Sequence, residues 1–256
     1  LIHSTAIVDP AAEIGDGVEI GAYAIVGGGV SIGSGTVIGP HVVIRGATRI
    51  GSDNRIFQFA SVGEDPQDKK YRGEPTALEI GDRNVVREFA TLHRGTVQDK
   101  GVTRIGDDNL FMAYTHVAHD CVIGNRVIMA NAASLAGHVR VDDDAILGGF
   151  SLVHQFCRIG QHSFSAMGSV ISRDVPPYVT VGGRPTKPHG INAVGLERNG
   201  FDSVAIRQIK KAYKIVYKTG FKLEEAIRLL EEMSEDGPEV ACLVDFLRAK
   251  GRSIIR

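Results

Sequence analysis

Tryptophan is absent from this 256-residue chain, aromatic residues make up only 6% of it, and there are three cysteines. So few rings exclude a thick core built on large aromatics and leave a thin one filled by aliphatics. Cys121, Cys157 and Cys242 stand too far apart for a metal or disulfide spacing, which fits a reducing, cytoplasmic setting. No apolar run is long enough to form a transmembrane segment, and the repeat described below starts at Ile2, where a secretory leader would otherwise lie. A formal net charge of −1 lacks the basic excess that bulk nucleic-acid binding needs.

Glycine is abundant, with 31 residues, and it falls on a beat. An aliphatic residue returns every sixth position from Ile2 through Val8, Ile14, Ile20, Val26 and onward to Val62, and again from Ile105 to Ile159. The next residue is often Gly, as at Gly15, Gly33, Gly51, Gly106 and Gly148, and the fourth after the aliphatic is small or β-branched, as at Val18, Ala24, Ala90, Thr115 and Cys121. Two inward positions per hexad suit a short strand plus a corner, with Gly, Asn and Asp supplying turn conformations. Three such strands make one coil, and stacked coils bury an aliphatic column. The expected fold is an all-β solenoid, a parallel β-helix of hexapeptide repeats over residues 1–190, followed by a C-terminal α-helical domain over 191–256. Two insertions break the beat, near 64–77 and 98–103. The repeats are expected to run to about Val170 and to end at Pro176-Pro177, where two prolines would stop strand pairing. In the tail, Asp202 should cap a helix that stops at Gly220, Leu223 to Leu230 should form a second, and Pro238 should open a third.

Chemistry concentrates at Thr115-His116-Val117-Ala118-His119-Asp120-Cys121. A coil of eighteen residues stacks position 119 against Gly137 and Gln155, so His119, His138 and His154 are expected to line one strip, with His116 a corner away. His119 is the candidate general base. Asp120 can orient it if the pair occupies a corner, and Gly137 leaves its backbone N–H open as an oxyanion donor. Two further readings of the histidines stand beside this one, a zinc site and a plain exposed ladder. In the first insertion Lys70 could hold a phosphate and Asp68 a sugar hydroxyl. Arg198 is a candidate phosphate clamp. The first tail helix carries Arg207, Lys210, Lys211, Lys214 and Lys218 with no acidic residue among them, a face suited to an acidic carrier protein.

The strings His116-Val117-Ala118-His119-Asp120-Cys121, Leu135-Ala136-Gly137-His138-Val139, Val153-His154-Gln155-Phe156-Cys157 and Asp174-Val175-Pro176-Pro177-Tyr178 occur in order. With the Gln67-Asp68-Lys69-Lys70-Tyr71 loop, they resemble the UDP-N-acetylglucosamine O-acyltransferase family of hexapeptide-repeat acyltransferases. The resemblance implies left-handed coils and a homotrimer with active sites between subunits. It also implies transfer of a 3-hydroxyacyl chain from acyl carrier protein to the 3-hydroxyl of UDP-N-acetylglucosamine, the first step of lipid A synthesis. His119, Asp120 and Gly137 would be catalytic. Gln67, Asp68, Lys70, His116, His138, His154, Gln155, Asn192 and Arg198 would bind substrate. Lys210, Lys211 and Lys214 would dock the carrier, whose phosphopantetheine holds the acyl group, with no metal and no cofactor of the enzyme's own. Met167 stands where some relatives carry Gly at the end of the acyl groove, which implies a medium-length, 3-hydroxydecanoyl-like chain. Val194, Asn199 and Pro185 depart from common residues near the nucleotide, so a 3-amino sugar is a second candidate acceptor. A sister N-acyltransferase, a zinc-dependent lyase of carbonic-anhydrase type and a noncatalytic scaffold are also compatible with a repeat of this kind.

Overall fold

The computed structural model describes residues 1–234 and 237–256. From Ile7–Val8 onward, each strand pairs in parallel with the strand one coil further along, so Ile7 lies beside Ile25 and Val8 beside Val26. Among the described residues this builds three sheets. One has nine strands, from Ile7–Val8 to Val170–Ile171; one has eight, from Glu13–Ile14 to Arg158–Ile159; one has ten, from Glu19–Ile20 to Lys187–Ile191. The molecule is thus a three-sided parallel β-helix. Its core is the aliphatic column of the hexads, with Ile20, Ile38, Ile56, Val86, Phe111, Met129 and Leu147 buried one above another on the ten-stranded side.

The three corners are distinct. The first joins the nine- to the eight-stranded sheet, the second the eight- to the ten-stranded, and the third the ten- to the nine-stranded. Non-glycine residues hold positive φ at all three, including Asp120 (φ 60) and His138 (φ 63) at the first, Asp108 (φ 59) and Arg126 (φ 55) at the second, and Phe59 (φ 64) and Tyr114 (φ 63) at the third. The glycines that follow the aliphatic beat were expected to supply these turns. They answer a different need: a Cβ on Gly33 would lie 2.5 Å from the carbonyl carbon of Gly51 in the next coil, so glycine there permits coil-to-coil approach.

Side chains at equivalent corner positions stack. At the third corner Tyr23, His41, Phe59, Phe89 and Tyr114 form a ladder of nearly parallel rings, 4.8 to 5.2 Å between centroids. At the second corner the column alternates in charge, with Arg83 on Asp108 and Arg126 on Asp144, each with a contact of 2.8 Å. Inside the second corner a column of buried amides links successive coils: Asn54 accepts from the Asn84 N–H, and Asn84 accepts from the N–H and side-chain amide of Asn109.

Both insertions leave from the first corner, between Ser61–Glu64 and Ala77–Ile80 and between Thr91–His93 and Val102–Ile105. The prolines do not end the sheet. Val175 bridges to Ile159, Pro176 and Pro177 take the turn at the second corner where no ladder N–H is required, and pairing resumes with Phe164 beside Thr180. Lys187–Ile191 then closes that sheet as an antiparallel strand.

Four helices follow among the described residues: α1 (Ala193–Arg198), α2 (Ser203–Lys218), α3 (Leu223–Ser234) and α4 (Pro238–Arg248). The short α1 adds to the three expected. Asp202 caps α2 through the N–H groups of Val204 and Ala205, Gly220 follows it at φ 79, and Pro238 opens α4. The C-terminal segment folds back onto the β-helix, where Ile254 bridges to Asp174 and Ile255 joins the core.

Candidate active site

His116–Val117 is a strand of the nine-stranded sheet, and the chain turns at Ala118 to Asp120. His119 and Asp120 therefore occupy the first corner, where adjacent side chains need not point to opposite faces. His119 Nδ1 lies 2.8 Å from Asp120 Oδ2. The carboxylate is itself held: Oδ1 accepts the Thr96 N–H at 2.9 Å, Oδ2 accepts the Thr96 hydroxyl at 2.6 Å, and the Asp120 N–H donates to Thr103 Oγ1. Burial pushes the Asp120 carboxyl up, but the hydrogen bonds from His119 and Thr96 outweigh it and hold the pKa below the usual value. Asp120 is thus an ionised, immobile acceptor that selects the tautomer with the proton on Nδ1 and leaves Nε2 to accept one.

Gly137 lies directly over His119. A Cβ there would come within 2.5 Å of His119 Cε1 and 2.7 Å of Nε2, so this position excludes any side chain while the imidazole stays in place. Its carbonyl accepts from the Phe156 N–H. Among the described residues, no backbone carbonyl accepts its own N–H.

The expected strip of three histidines is not formed. Residues 119, 138 and 154 occupy three consecutive positions of the corner, so each belongs to a different column. His119 stacks with Gly137 and Gln155, His138 with Asp120 and Phe156, and His154 with Ala136. His138 still reaches the pair, because its ring meets His119 edge-on at 5.1 Å and lies face-on to Phe156 at 4.5 Å. Its Nδ1 sits 3.0 Å from Asp99 of the second insertion and 3.9 Å from Asp120. His154 is exposed and meets Arg252, whose guanidinium also donates to the carbonyl of Gln155. His116 lies one strand back, with Nδ1 2.7 Å from Thr91 Oγ1 and its ring edge-on to the buried His93. Burial lowers the pKa of His116, helped by the nearby His119, and pulls His93 down to about 4.

Two different chemistries can be weighed at the same place. Cys121 is fully buried and its thiol is pushed up to about 12 by burial, so it cannot serve as a nucleophile. His119, Asp120 and His138 could each turn one donor atom to a shared point, within 4.8 Å of one another, so a metal would find ligands here. The ring nitrogens that face Asp120 and Asp99 are already engaged by those carboxylates.

The remaining candidates lie elsewhere in the chain. Gln67, Asp68 and Lys70 belong to the first insertion; Asp68 accepts the Lys70 N–H at 2.9 Å, and the Gln67 and Lys70 side chains are exposed. Asn192 caps α1 and donates to the His162 carbonyl, which occupies both ends of its amide and fixes α1 to the second corner. Arg198 ends that helix, exposed. Met167 is 77% exposed at the third corner. Lys210, Lys211 and Lys214 are exposed on α2, whose opposite face buries Ile209, Ala212 and Val216. Thr96, Asp99 and Arg94 emerge only from the structure. Thr96 and Arg94 sit just after the Leu92 beat, and only the path of the insertions shows what they touch.

Residues 11–46 and 103–137 match the family described as bacterial transferase hexapeptide (six repeats), and residues 174–255 match UDP N-acetylglucosamine O-acyltransferase, domain 2. Curated relatives named acyl-(acyl-carrier-protein)–UDP-N-acetylglucosamine O-acyltransferase include one from Thiobacillus denitrificans, 60% identical over 255 residues, and one from Pseudomonas aeruginosa, 59% identical over 256. Each alignment covers 100% of this chain and 99% of the relative. Among solved structures, the UDP-N-acetylglucosamine acyltransferase of Francisella novicida superposes with a TM-score of 0.98 at 42% identity, over 100% of this chain and 94% of that one. The O-acyltransferase of Moraxella catarrhalis gives 0.97 at 46%, over 100% and 99%. With the same coil, the same helical tail and more than half of its residues shared along its full length, the chain belongs to the UDP-N-acetylglucosamine O-acyltransferase family.

Proposed function

We propose that the protein transfers a 3-hydroxyacyl group from acyl carrier protein to the 3-hydroxyl of UDP-N-acetylglucosamine, the entry step to lipid A, with His119 as the general base. The observation that carries this reading is the His119 Nδ1 to Asp120 Oδ2 contact of 2.8 Å, backed by two hydrogen bonds from Thr96. Nε2 takes the proton of the sugar hydroxyl as its oxygen attacks the thioester carbon. The Gly137 N–H stabilises the oxyanion. When the C–S bond breaks, the imidazolium returns its proton to the departing thiolate of the phosphopantetheine. Asp120 stays ionised throughout and balances the transient positive charge on the ring.

Gln67, Asp68, Lys70, His116, His138, His154, Gln155, Asn192 and Arg198 make up the substrate-binding set, and the coils wind left-handed as in the family. The protein acts as a homotrimer with its sites between subunits. What supports this is the spread of the candidate residues: His119 and the two insertions lie at the first corner, α1 is fixed to the second, and Met167 stands at the third. A neighbouring copy can bring such separated corners together. Met167 limits the groove to a medium-length chain, 3-hydroxydecanoyl-like, and Lys210, Lys211 and Lys214 receive the acidic carrier.

The test is acyl transfer by wild type and His119→Ala, each with and without chelator. Chelator-resistant transfer by wild type, with at least about a 10³-fold loss in the mutant, is the expected result. Activity lost on chelation and restored by zinc would favour the second reading, in which His119, Asp120 and His138 hold a metal. Transfer to a 3-amino sugar but not to the 3-hydroxy sugar would move the acceptor assignment and leave the base in place.

A further inference from the structure

The segment 94–96 touches both the first insertion and the catalytic carboxylate. Arg94 is only 8% exposed, although it carries a full charge. Its Nη1 donates to the Gly63 carbonyl at 3.0 Å, at the root of the insertion. Its Nη2 donates to the Tyr71 hydroxyl at 2.9 Å, beyond Asp68 and Lys70, and to the Asp65 carboxylate. Tyr71 passes the contact on by donating to the Glu74 carbonyl at 3.0 Å. One guanidinium thus grips the insertion on both sides of its exposed tip. Two residues later, Thr96 holds both oxygens of Asp120. Three consecutive residues therefore link the tip to the general base.

The surroundings are cut to fit this cation. A Cβ at Gly46 would overlap the Arg94 guanidinium, and Gly46 adopts φ 63, so the coil beneath is hollowed where the fork enters. Arg94 Nε is buried with no acceptor among the described residues, a cost that an apolar residue of similar size would avoid. What offsets that cost is the set of contacts its fork makes, and those contacts hold the insertion.

We propose that Arg94 is a positioning residue that registers the loop of residues 64–76 against the His119–Asp120 pair, and so sets affinity for the acceptor sugar nucleotide. This rests on the assignment of Gln67, Asp68 and Lys70 to that acceptor. Lysine at 94 keeps the charge but lacks the planar fork, so it can hold one of the three partners and not all of them. Tyr71→Phe removes one bond and leaves the shape of the loop.

The experiment is steady-state kinetics on full-length wild type, Arg94→Lys and Tyr71→Phe, varying acceptor and carrier-bound donor separately, with amide hydrogen exchange over residues 64–76. The expected result is an acceptor KM raised about tenfold in Arg94→Lys and about threefold in Tyr71→Phe, as for charge-assisted bonds lost. Both variants should show faster exchange in the loop, with kcat and donor KM within about twofold of wild type, since Thr96 still holds Asp120. An acceptor KM unchanged in both variants, or a fall in kcat alone, overturns the proposal. The exchange data separate its two foundations. Faster loop exchange without a change in acceptor KM means that the loop does not serve the acceptor, whereas unchanged exchange means that Arg94 does not hold the loop.

Discussion

The first and third corners of the coil use one backbone conformation for opposite ends. Asp120 and His138 at the first, and Phe59 and Tyr114 at the third, all hold φ near 60°, a region costly for residues with a Cβ. At the third corner the cost is offset by rings that stack coil upon coil with centroids 4.8 to 5.2 Å apart. At the first corner the stacking is interrupted. Asp120 turns to His119 and Thr96, His138 stacks on Phe156 above it, and Gly137 beside it is empty of side chain. The difference teaches that the turn itself carries no function. A corner becomes a site where neighbours in the column differ and where insertions supply partners the coil lacks.

The largest blow to this comparison falls on the carboxylate. Asp120→Asn keeps the turn but lets the amide present its N–H to His119 Nδ1, favouring the wrong tautomer; kcat should fall on the order of 10²-fold or more, with KM values little changed. A kcat within about threefold of wild type would put the first corner in the same class as the third. Next is Gly137→Ala, whose methyl must displace the His119 ring. Activity should fall about 10- to 100-fold in steady-state assays, because the ring leaves the position in which Asp120 holds it. A fully active alanine variant would show that the imidazole does not work from its observed position.

A pH measurement separates the buried His93, packed edge-on against His116, from the exposed ladder. Burial holds His93 at about 4 in the folded chain, against about 6.5 unfolded, so below 6.5 the unfolded chain binds the extra proton. Wild-type stability should therefore decline as pH falls from about 6.5 to about 4, and His93→Gln should show less of that decline in denaturant titrations. The same slope in both would show that His93 is not the group responsible. The smallest effect is at the third corner. Phe89→Ala should cost about 1 kcal/mol of stability, through two lost ring contacts, and leave kcat unchanged. A drop in activity there would mean that the aromatic ladder also reaches the site.

The hexad made the coil legible because an aliphatic column needs one residue type at one phase, and Ile2 to Val62 keep that phase without a break. The pairing of His119 with Asp120 was legible for the same reason, since their phase puts both at a turn. The grouping of His154 with His119 and His138 was not. The eighteen-residue coil already puts 119 against 137 and 155; His138 and His154 are only neighbours of those positions, and at a corner one step along the chain turns a side chain into a different column. The roles of Arg94, Thr96 and Asp99 lay beyond periodicity altogether, because their partners Asp65, Tyr71, Asp120 and His138 are brought near by insertions of irregular path. The aromatic ladder was hidden by the opposite problem. Tyr, Phe and His are unexpected at positive φ, and only the sum of stacking contacts over several coils makes them suitable there.

The buried asparagines at the second corner have a consequence for how such a chain can change. Coils here normally repeat at 18 residues, as from Thr36 to Asn54, but Asn84 follows Asn54 by 30 and Asn109 follows Asn84 by 25. The amide column thus spans the coils whose length varies, and it lies across the prism from the edge where the extra residues leave. It acts as a spine that keeps count while the opposite margin is cut or lengthened. The loops at that opposite margin can then lengthen or shorten without shifting the register of the coil that holds His119.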